Sequence, residues 1–436
     1  MIIPQTRLVA WSAIVLVPIG AIAGAGSTGM LAAGIAAAAF FVVVAIDAIA
    51  ARNRLAGLGV DLPEVTRLQK DRPAEIELLI RNESQRARPL RIGIAFSQEI
   101  VPDRDDVRVM LPQGAAVSRI KWQCTPTKRG QYFLDGCHLE GISALGLWGV
   151  RGKVPARAEL RVYPNLFDER KHVAALFLNR GHYGIHSQRM AGRGREFEKL
   201  REYSQGDSLQ DVHWKASAKR GHLVTKVYQV ERTQEVYVIV DSSRLSARGD
   251  AIERYLAAAL VLAVAAEQQG DLFGLVGFND RVTQFVRAKS GKTHFDACRD
   301  ALYTQQPKMV SPDFDELAAF LRTRLRKRAL LVFLTALDDP LLAESFARNM
   351  DLLCRQHLIL VNMLKPRGAA PLFTGDAVSN ADDVYGKLGG HLLWQNLNEL
   401  QKRLQRRGVR FNLLDHENLS AQVVGQYVEV KARQLI

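Results

Sequence analysis

The sequence predicts a multidomain chain with an N-terminal transmembrane α-hairpin at residues 1–55, a β-sandwich at 60–165, a linker at 166–234 and a C-terminal α/β domain at 235–436. Three observations predict it. No Asp, Glu, Lys, Arg or His occurs from Leu8 to Ile46, apolar and polar residues alternate between about Leu62 and Pro164, and past Glu235 short apolar runs alternate with helical stretches. A length of 436 residues leaves room for two or three folding units. Apolar residues at 47% and charged residues at 24% exclude a largely disordered chain. Lys and Arg number 59 against 45 Asp and Glu, and the resulting +14 suits contact with an anionic surface, either nucleic acid or a membrane leaflet.

The uncharged run is too long for one core helix of a soluble protein and belongs in lipid. Gly24 to Gly29 divides it into a first span containing Trp11 and Pro18 and a second from about Met30 to Ala50. Arg7 precedes the pair, and Arg52 and Arg54 follow it, so the positive-inside rule places both flanks in the cytoplasm. A signal peptide cleaved after Ala21-Ile22-Ala23 is the competing reading; the second span would then still run inward. The expected location is the cell inner membrane, multi-pass, with the large domain cytoplasmic. Cys124, Cys137, Cys298 and Cys354 form no Cys-x-x-Cys pair, so no zinc knuckle or redox dithiol is signalled, and reduced packed thiols are expected.

The middle of the chain reads as antiparallel strands. Glu75 to Arg81, Leu90 to Phe96 and Ser118 to Trp122 have period two, and turns such as Arg81-Asn82-Glu83-Ser84 and Lys128-Arg129-Gly130 separate the strands. About 100 such residues suit a small sandwich of the immunoglobulin-like kind. In the last part, Val236 to Val240, Leu272 to Phe278, Val282 to Val286, Ala329 to Leu334, Leu358 to Leu364 and Val409 to Leu414 read as strands separated by helices. This pattern specifies a mainly parallel, Rossmann-type sheet covered on both faces, whose ligands sit at the carboxyl ends of the strands. Asp241 stands at such an end.

The linker carries Gly192-Arg193-Gly194-Arg195-Glu196-Phe197-Glu198-Lys199-Leu200-Arg201-Glu202-Tyr203, then Gly206-Asp207, then Val212-His213-Trp214-Lys215-Ala216-Ser217-Ala218-Lys219. Read from the residues, it is a glycine pair, a short charged helix in which Glu198 neighbours Arg201 and Glu202, a Gly-Asp turn, and a second helix bearing Trp214 and Lys215. Either Phe197, Leu200, Tyr203 and Trp214 pack it onto the α/β domain, or Arg195, Glu196, Arg201, Asp207, Trp214 and Lys215 form a docking surface. These segments, with Leu145-Gly146-Leu147-Trp148 and Arg161-Val162-Tyr163-Pro164, resemble the signature of domain-of-unknown-function family fifty-eight; Gln210 departs from it where members usually show a basic residue. The resemblance implies a bacterial membrane-anchored protein with a von Willebrand factor A-like domain that works with a MoxR-type AAA+ ATPase.

Three chemistries compete. A von Willebrand A-like domain holds Mg²⁺ by hard oxygen ligands. Asp241 and Ser243 fill its first two positions and Thr293 offers the second-loop ligand, but Leu245 replaces a serine one residue before Ser246. Leu334-Thr335-Ala336 lacks the third-loop carboxylate, with Asp338 two residues late. Ser290-Gly291-Lys292-Thr293 mimics the end of a P-loop, yet Val286 stands where its first glycine belongs. Asp211 to Lys215 offers an acid and a lysine to a nuclease, without the convergent carboxylates that metal-dependent cleavage needs. The basic runs Arg324 to Arg328 and Arg403 to Arg407 read as solvated helix faces.

The sequence therefore predicts a membrane-anchored, cytosol-facing scaffold or adaptor without catalysis of its own. Its expected partners are a MoxR-type ATPase and the lipid bilayer, with no specific nucleic acid and no small-molecule substrate. No cofactor is expected, and Mg²⁺ only weakly. A nucleotide- or metal-dependent hydrolase using the strand-end loops is the alternative.

Overall fold

The computed structural model describes residues 1–23, 27–167, 191–192, 196–205, 207–229, 234–372, 374 and 380–433. The chain divides into two compact units, Met1–Asn165 and Leu166–Ile436.

The first unit opens with strand β1 (Ile2–Pro4), helix α1 (Thr6–Ala23) and helix α2 (Ser27–Ala51). Both helices are long and apolar enough to cross a membrane. Val9, Ile14 and Val17 of α1 and Leu31, Ile35 and Phe41 of α2 point outward, the reverse of a soluble core helix, so these side chains ask for an apolar solvent. Strands β2 (Leu58–Asp61), β3 (Val65–Gln69), β4 (Ala74–Asn82), β5 (Arg88–Ile94), β6 (Ile100–Pro102), β7 (Asp106–Leu111) and β8 (Val117–Pro126) follow. Then come β9 (Gly130–Leu134), β10 (Cys137–Ile142), β11 (Trp148–Val154) and β12 (Ala158–Tyr163). They form three sheets of order β1-β11-β10-β5-β7, β3-β12-β9 and β2-β4-β8-β6. Period two decides which side chains go inward: Ile76, Leu78 and Ile80 of β4 meet Leu90 and Ile92 of β5, Trp122 of β8, Leu139 of β10 and Leu160 of β12 in one core. Truncating one such side chain to Ala costs about 2–5 kcal/mol.

The helical pair is tied to this β-rich region at both ends. β1 adds to the edge strand β11, Ile2 opposite Val150 and Pro4 opposite Trp148. In the last turns of α2 the buried Asp47 carboxylate accepts the Ser143 hydroxyl at 2.6 Å and the Leu145 amide at 3.2 Å. The Trp148 indole donates to the Val44 carbonyl at 3.0 Å. Beyond α2, Leu55 lies over Gly141 and Gly152, where a Cβ would come within 3.2 and 3.0 Å of it. Those glycines let the helix exit rest on the sheet.

In the second unit, β13 (Ala191–Gly192), β14 (Glu196–Glu202), helix α3 (Trp214–Arg220) and β15 (Val224–Gln229) make a small sheet of order β13-β15-β14. This corrects the expectation of a charged helix at Glu196–Glu202. A seven-residue helix is marginal alone, and a pair such as Glu198 with Arg201 adds only about 0.2–0.5 kcal/mol. The β-branched Val224-Thr225 of β15 supplies a ladder instead, Glu202 opposite Val224 and Lys199 opposite Val227.

Strands β16 (Glu235–Asp241), β17 (Leu272–Phe278), β18 (Val282–Lys289), β19 (Ala329–Leu334), β20 (Leu358–Leu364) and β21 (Arg410–Leu414) form a sheet of order β18-β17-β16-β19-β20-β21. All its pairings are parallel except β17 with β18. Helices α4 (Ala251–Gln268), α5 (Lys292–Leu302), α6 (Phe314–Arg324), α7 (Pro340–Leu353), α8 (Ala381–Arg406) and α9 (Leu419–Ala432) cover it. Val236, Val238 and Val240 face one core with α4 and α9; Tyr237 and Ile239 face the other with α6, α7 and α8. The wide apolar surface of α4 has its reason here, because that helix packs against both the sheet and α9.

Candidate functional site

At the carboxyl end of β16 the Asp241 side chain is fully buried. One carboxylate oxygen accepts the Ser243 amide at 2.8 Å and the other accepts the Thr335 hydroxyl at 2.6 Å. Burial pushes this carboxyl above its ordinary pKa, against the pull of those hydrogen bonds. The Ser243 hydroxyl accepts the Leu245 amide at 3.3 Å and caps the turn Arg244–Ala247. Tyr255 donates to the Thr335 carbonyl at 3.2 Å, and the Leu364 amide donates to Tyr255 at 3.2 Å. Around this knot the segment between α5 and α6 returns to the strand end, with the Lys308 amide on the Ser242 carbonyl at 2.8 Å and the Arg244 amide on the Val310 carbonyl at 3.0 Å. Arg244 pairs with Asp339 at 3.0 Å, and Arg248 pairs with Asp338.

Thr293 does not join this site. Strand β18 runs antiparallel and carries the chain back to the amino end of the sheet, where His294 Nε2 sits 2.7 Å from the Phe273 carbonyl. Asp241 is level with Phe278, five residues further along β17, or about 17 Å at the usual rise per residue. The same polarity disposes of the P-loop resemblance. Val286 is paired with Leu275 within the ladder, and Ser290 to Thr293 lies at the end opposite to where parallel sheets bind phosphate. Among the described residues no cluster of three or more His, Cys, Asp or Glu is arranged to hold a metal. At β16 each oxygen of Asp241 accepts one protein donor and one oxygen of Asp338 is paired with Arg248, while the other Asp338 oxygen and the Ser246 hydroxyl are buried without a hydrogen-bond partner among the described residues. The nuclease candidate fares no better: His213 Nδ1 accepts the Ala216 amide at 3.1 Å and caps α3, and no second carboxylate pairs with Asp211 there among the described residues.

The linker residues make a second candidate site. Asp207 accepts Arg201 at 2.5 Å, the Ser204 amide at 2.9 Å and the Thr225 hydroxyl at 3.5 Å. The Ser204 amide and then Arg201 hold its carboxyl below the ordinary range. Arg201 and Asp207, read from sequence as separate docking charges, are thus partners in one turn. Trp214, expected to pack if the linker were merely structural, is 64% exposed, and Leu209 is 63% exposed. Lys215 is exposed beside Trp214 on α3. Arg195 lies outside the described residues, and of Glu196 only the backbone, in β14, is described. Among the described residues no hydrogen bond joins this linker group to the Asp241 end.

Residues 199–380 match the model of the family described as Protein of unknown function DUF58. The matched segment holds the Arg201–Asp207 turn, Trp214 and Asp241. Two mycobacterial proteins, Uncharacterized protein Rv1480 of Mycobacterium tuberculosis and Uncharacterized protein Mb1516 of Mycobacterium bovis, are each 25% identical over 203 residues, 45% of this chain. The chain spans 63% of the length of each. Among solved structures, an aerotolerance-related membrane protein from Bacteroides fragilis covers 45% of this chain and 98% of its own at 13% identity and a TM-score of 0.29. The CARDB domain of the PF1109 protein from Pyrococcus furiosus covers 24% and 91% at 14% identity and a TM-score of 0.16. Likeness that slight carries no argument about fold or function.

Sequence reasoning passed over Thr335, Arg244, Arg248 and Asp47. The sequence marks Leu334-Thr335-Ala336 only by the carboxylate missing at Ala336, although a hydroxyl directly after a buried strand is the natural donor to a neighbouring strand-end Asp. Asp47 is the first charge after the uncharged run and stood in plain sight.

Proposed function

We propose that the chain is a membrane-anchored scaffold that docks a protein partner, a MoxR-type AAA+ ATPase, through the linker, and that it carries no catalysis of its own. The observation that carries this reading is the exposed Trp214 and the Arg201–Asp207 pair, both within the segment that matches DUF58. Exposed aromatics next to fixed charges are the usual makings of an interface hot spot. The outward apolar faces of α1 and α2 support anchoring in the cell inner membrane as a multi-pass protein, and Arg7, Arg52 and Arg54 support a cytoplasmic large domain. The pairing of β1 with β11 gives α1 a place in the fold that a cleaved signal would not need. The strand order of the second unit, with Asp241 ending its first strand, supports a von Willebrand A-like domain whose metal position has become a hydrogen-bonded knot.

The test is capture of a purified MoxR-type ATPase by the full chain in detergent, with ATP turnover of the chain alone measured in parallel. Saturable capture and no intrinsic turnover are expected. Turnover by the chain alone, lost in Lys292→Ala, would establish the hydrolase instead.

A further inference from the structure

The base of the helical pair holds five arginines for which no ion pair is found among the described residues: Arg7, Arg52, Arg54, Arg86 and Arg88. They come from distant parts of the chain, and Arg54, Arg86 and Arg88 lie close enough for their charges to interact. Arg7 enters α1 and lies against Gly146, its guanidinium 3.0 Å from where a Cβ would sit. Arg52 and Arg54 follow α2 directly. Arg88 of β5 donates to the Arg54 carbonyl at 2.8 Å and to the Ala56 carbonyl at 3.3 Å, which ties the helix exit to the sheet. Burial, then the neighbouring guanidiniums of Arg54 and Arg86, lowers the Arg88 pKa, as expected where like charges crowd. Glu83 lies against Gly57 in the same loop and makes no ion pair among the described residues. Elsewhere on the β-rich region Arg81 pairs with Asp61, Arg91 with Asp106 and Lys121 with Glu75, while Arg67 and Arg157 make no ion pair among the described residues.

Such crowding costs free energy unless anions offset it. Two features say which anion. The cluster sits where two outward-facing apolar helices end, at the depth of lipid headgroups if those helices span, and β1 and Asp47 hold both helix ends on one sheet, so the cluster faces a single leaflet. Resting on the membrane-anchored reading above, we propose that these arginines bind the phosphates of anionic phospholipid headgroups in that leaflet. The site selects charged lipid and seats the β-rich region flat on the membrane. Arg88 acts mainly as the brace, while Arg7, Arg52 and Arg86, all exposed, meet the headgroups.

The experiment uses the full chain in mixed micelles of equal phosphatidylglycerol and phosphatidylcholine, with quantification of the lipid that copurifies. The wild type is expected to retain phosphatidylglycerol about tenfold over phosphatidylcholine, given the attraction of each basic residue to an anionic surface. The triple variant Arg7→Gln, Arg52→Gln, Arg86→Gln should fall to about twofold or less. A control with Arg104→Gln and Arg119→Gln, arginines paired elsewhere on the region, should keep the preference. Equal retention by wild type and triple variant overturns the headgroup site. An alkaline wash of membranes separates the two ideas: a chain that stays in the membrane without lipid preference refutes only this proposal, and a chain that washes out refutes the anchoring reading with it.

Discussion

Asp207 in the linker and Asp241 at the end of β16 accept nearly the same donors, yet they are opposite in character. Each takes a nearby backbone amide and a threonine hydroxyl, from Ser204 and Thr225 in one case and from Ser243 and Thr335 in the other. Asp207 adds Arg201 and keeps contact with water, so its charged form is favoured. Asp241 has no ion pair among the described residues and no solvent, so burial outweighs its hydrogen bonds and its pKa is raised above the ordinary value. The contrast teaches that a carboxylate at the customary strand end is not thereby a metal ligand. Asp207 has a guanidinium partner for its charge, whereas Asp241 has only neutral donors among the described residues.

The largest effect is expected from Thr335→Val, which removes the hydroxyl donor from a buried carboxylate oxygen and leaves it unsatisfied. A loss of about 2–3 kcal/mol in chemical denaturation of the full chain in detergent at neutral pH is expected. A loss below about 0.5 kcal/mol would mean that Thr335 does not hold Asp241.

Asp241→Asn should act in the opposite sense and more weakly. Because the folded-state pKa of Asp241 is raised, its contribution is fully present below the unfolded value of 3.8 and is lost as pH rises through the folded value. The neutral isostere should therefore raise Tm at pH 7.5 relative to wild type, with a gain that shrinks on acidification toward pH 4. Millimolar Mg²⁺ should move neither melting curve. Stabilisation of the wild type alone by Mg²⁺ would restore the metal site.

The smallest effect is expected from Asp207→Asn, because its Arg201 partner is 43% exposed and the pair is screened by water. Its folded-state pKa is depressed, so the stability it contributes is present above 3.8 and is lost as pH falls through the folded value. A small fall in Tm at pH 7 that vanishes near pH 3 is the expected signature, and a Tm unchanged at every pH would dissolve the comparison.

Much of this architecture was legible because it is written in local period. Ile76, Leu78 and Ile80 declare a strand face, the uncharged run from Leu8 to Ile46 declares two long apolar helices, and Asp241 after Val236 to Val240 declares a strand end. What was not legible depends on pairing at a distance. Glu196 to Glu202 has the charges of a helix and becomes a strand only because β15 lies beside it. Thr293 looked available to Asp241 until the antiparallel direction of β18 placed it at the far edge, and apolar strands carry no mark of their direction. Asp47 and Ser143 meet across 96 positions of sequence, a contact that neither local pattern suggests.

The measurement that bears most directly on the account compares partner capture by two single variants of the full chain, Trp214→Ala at the linker and Asp241→Asn at the strand end, each checked for folding. Docking through the linker requires that Trp214→Ala weaken capture of the MoxR-type ATPase roughly tenfold or more, a hot-spot loss of about 1.4 kcal/mol or above, while Asp241→Asn captures as the wild type does. Capture that survives Trp214→Ala unchanged and collapses in Asp241→Asn would contradict the account and return function to the strand end.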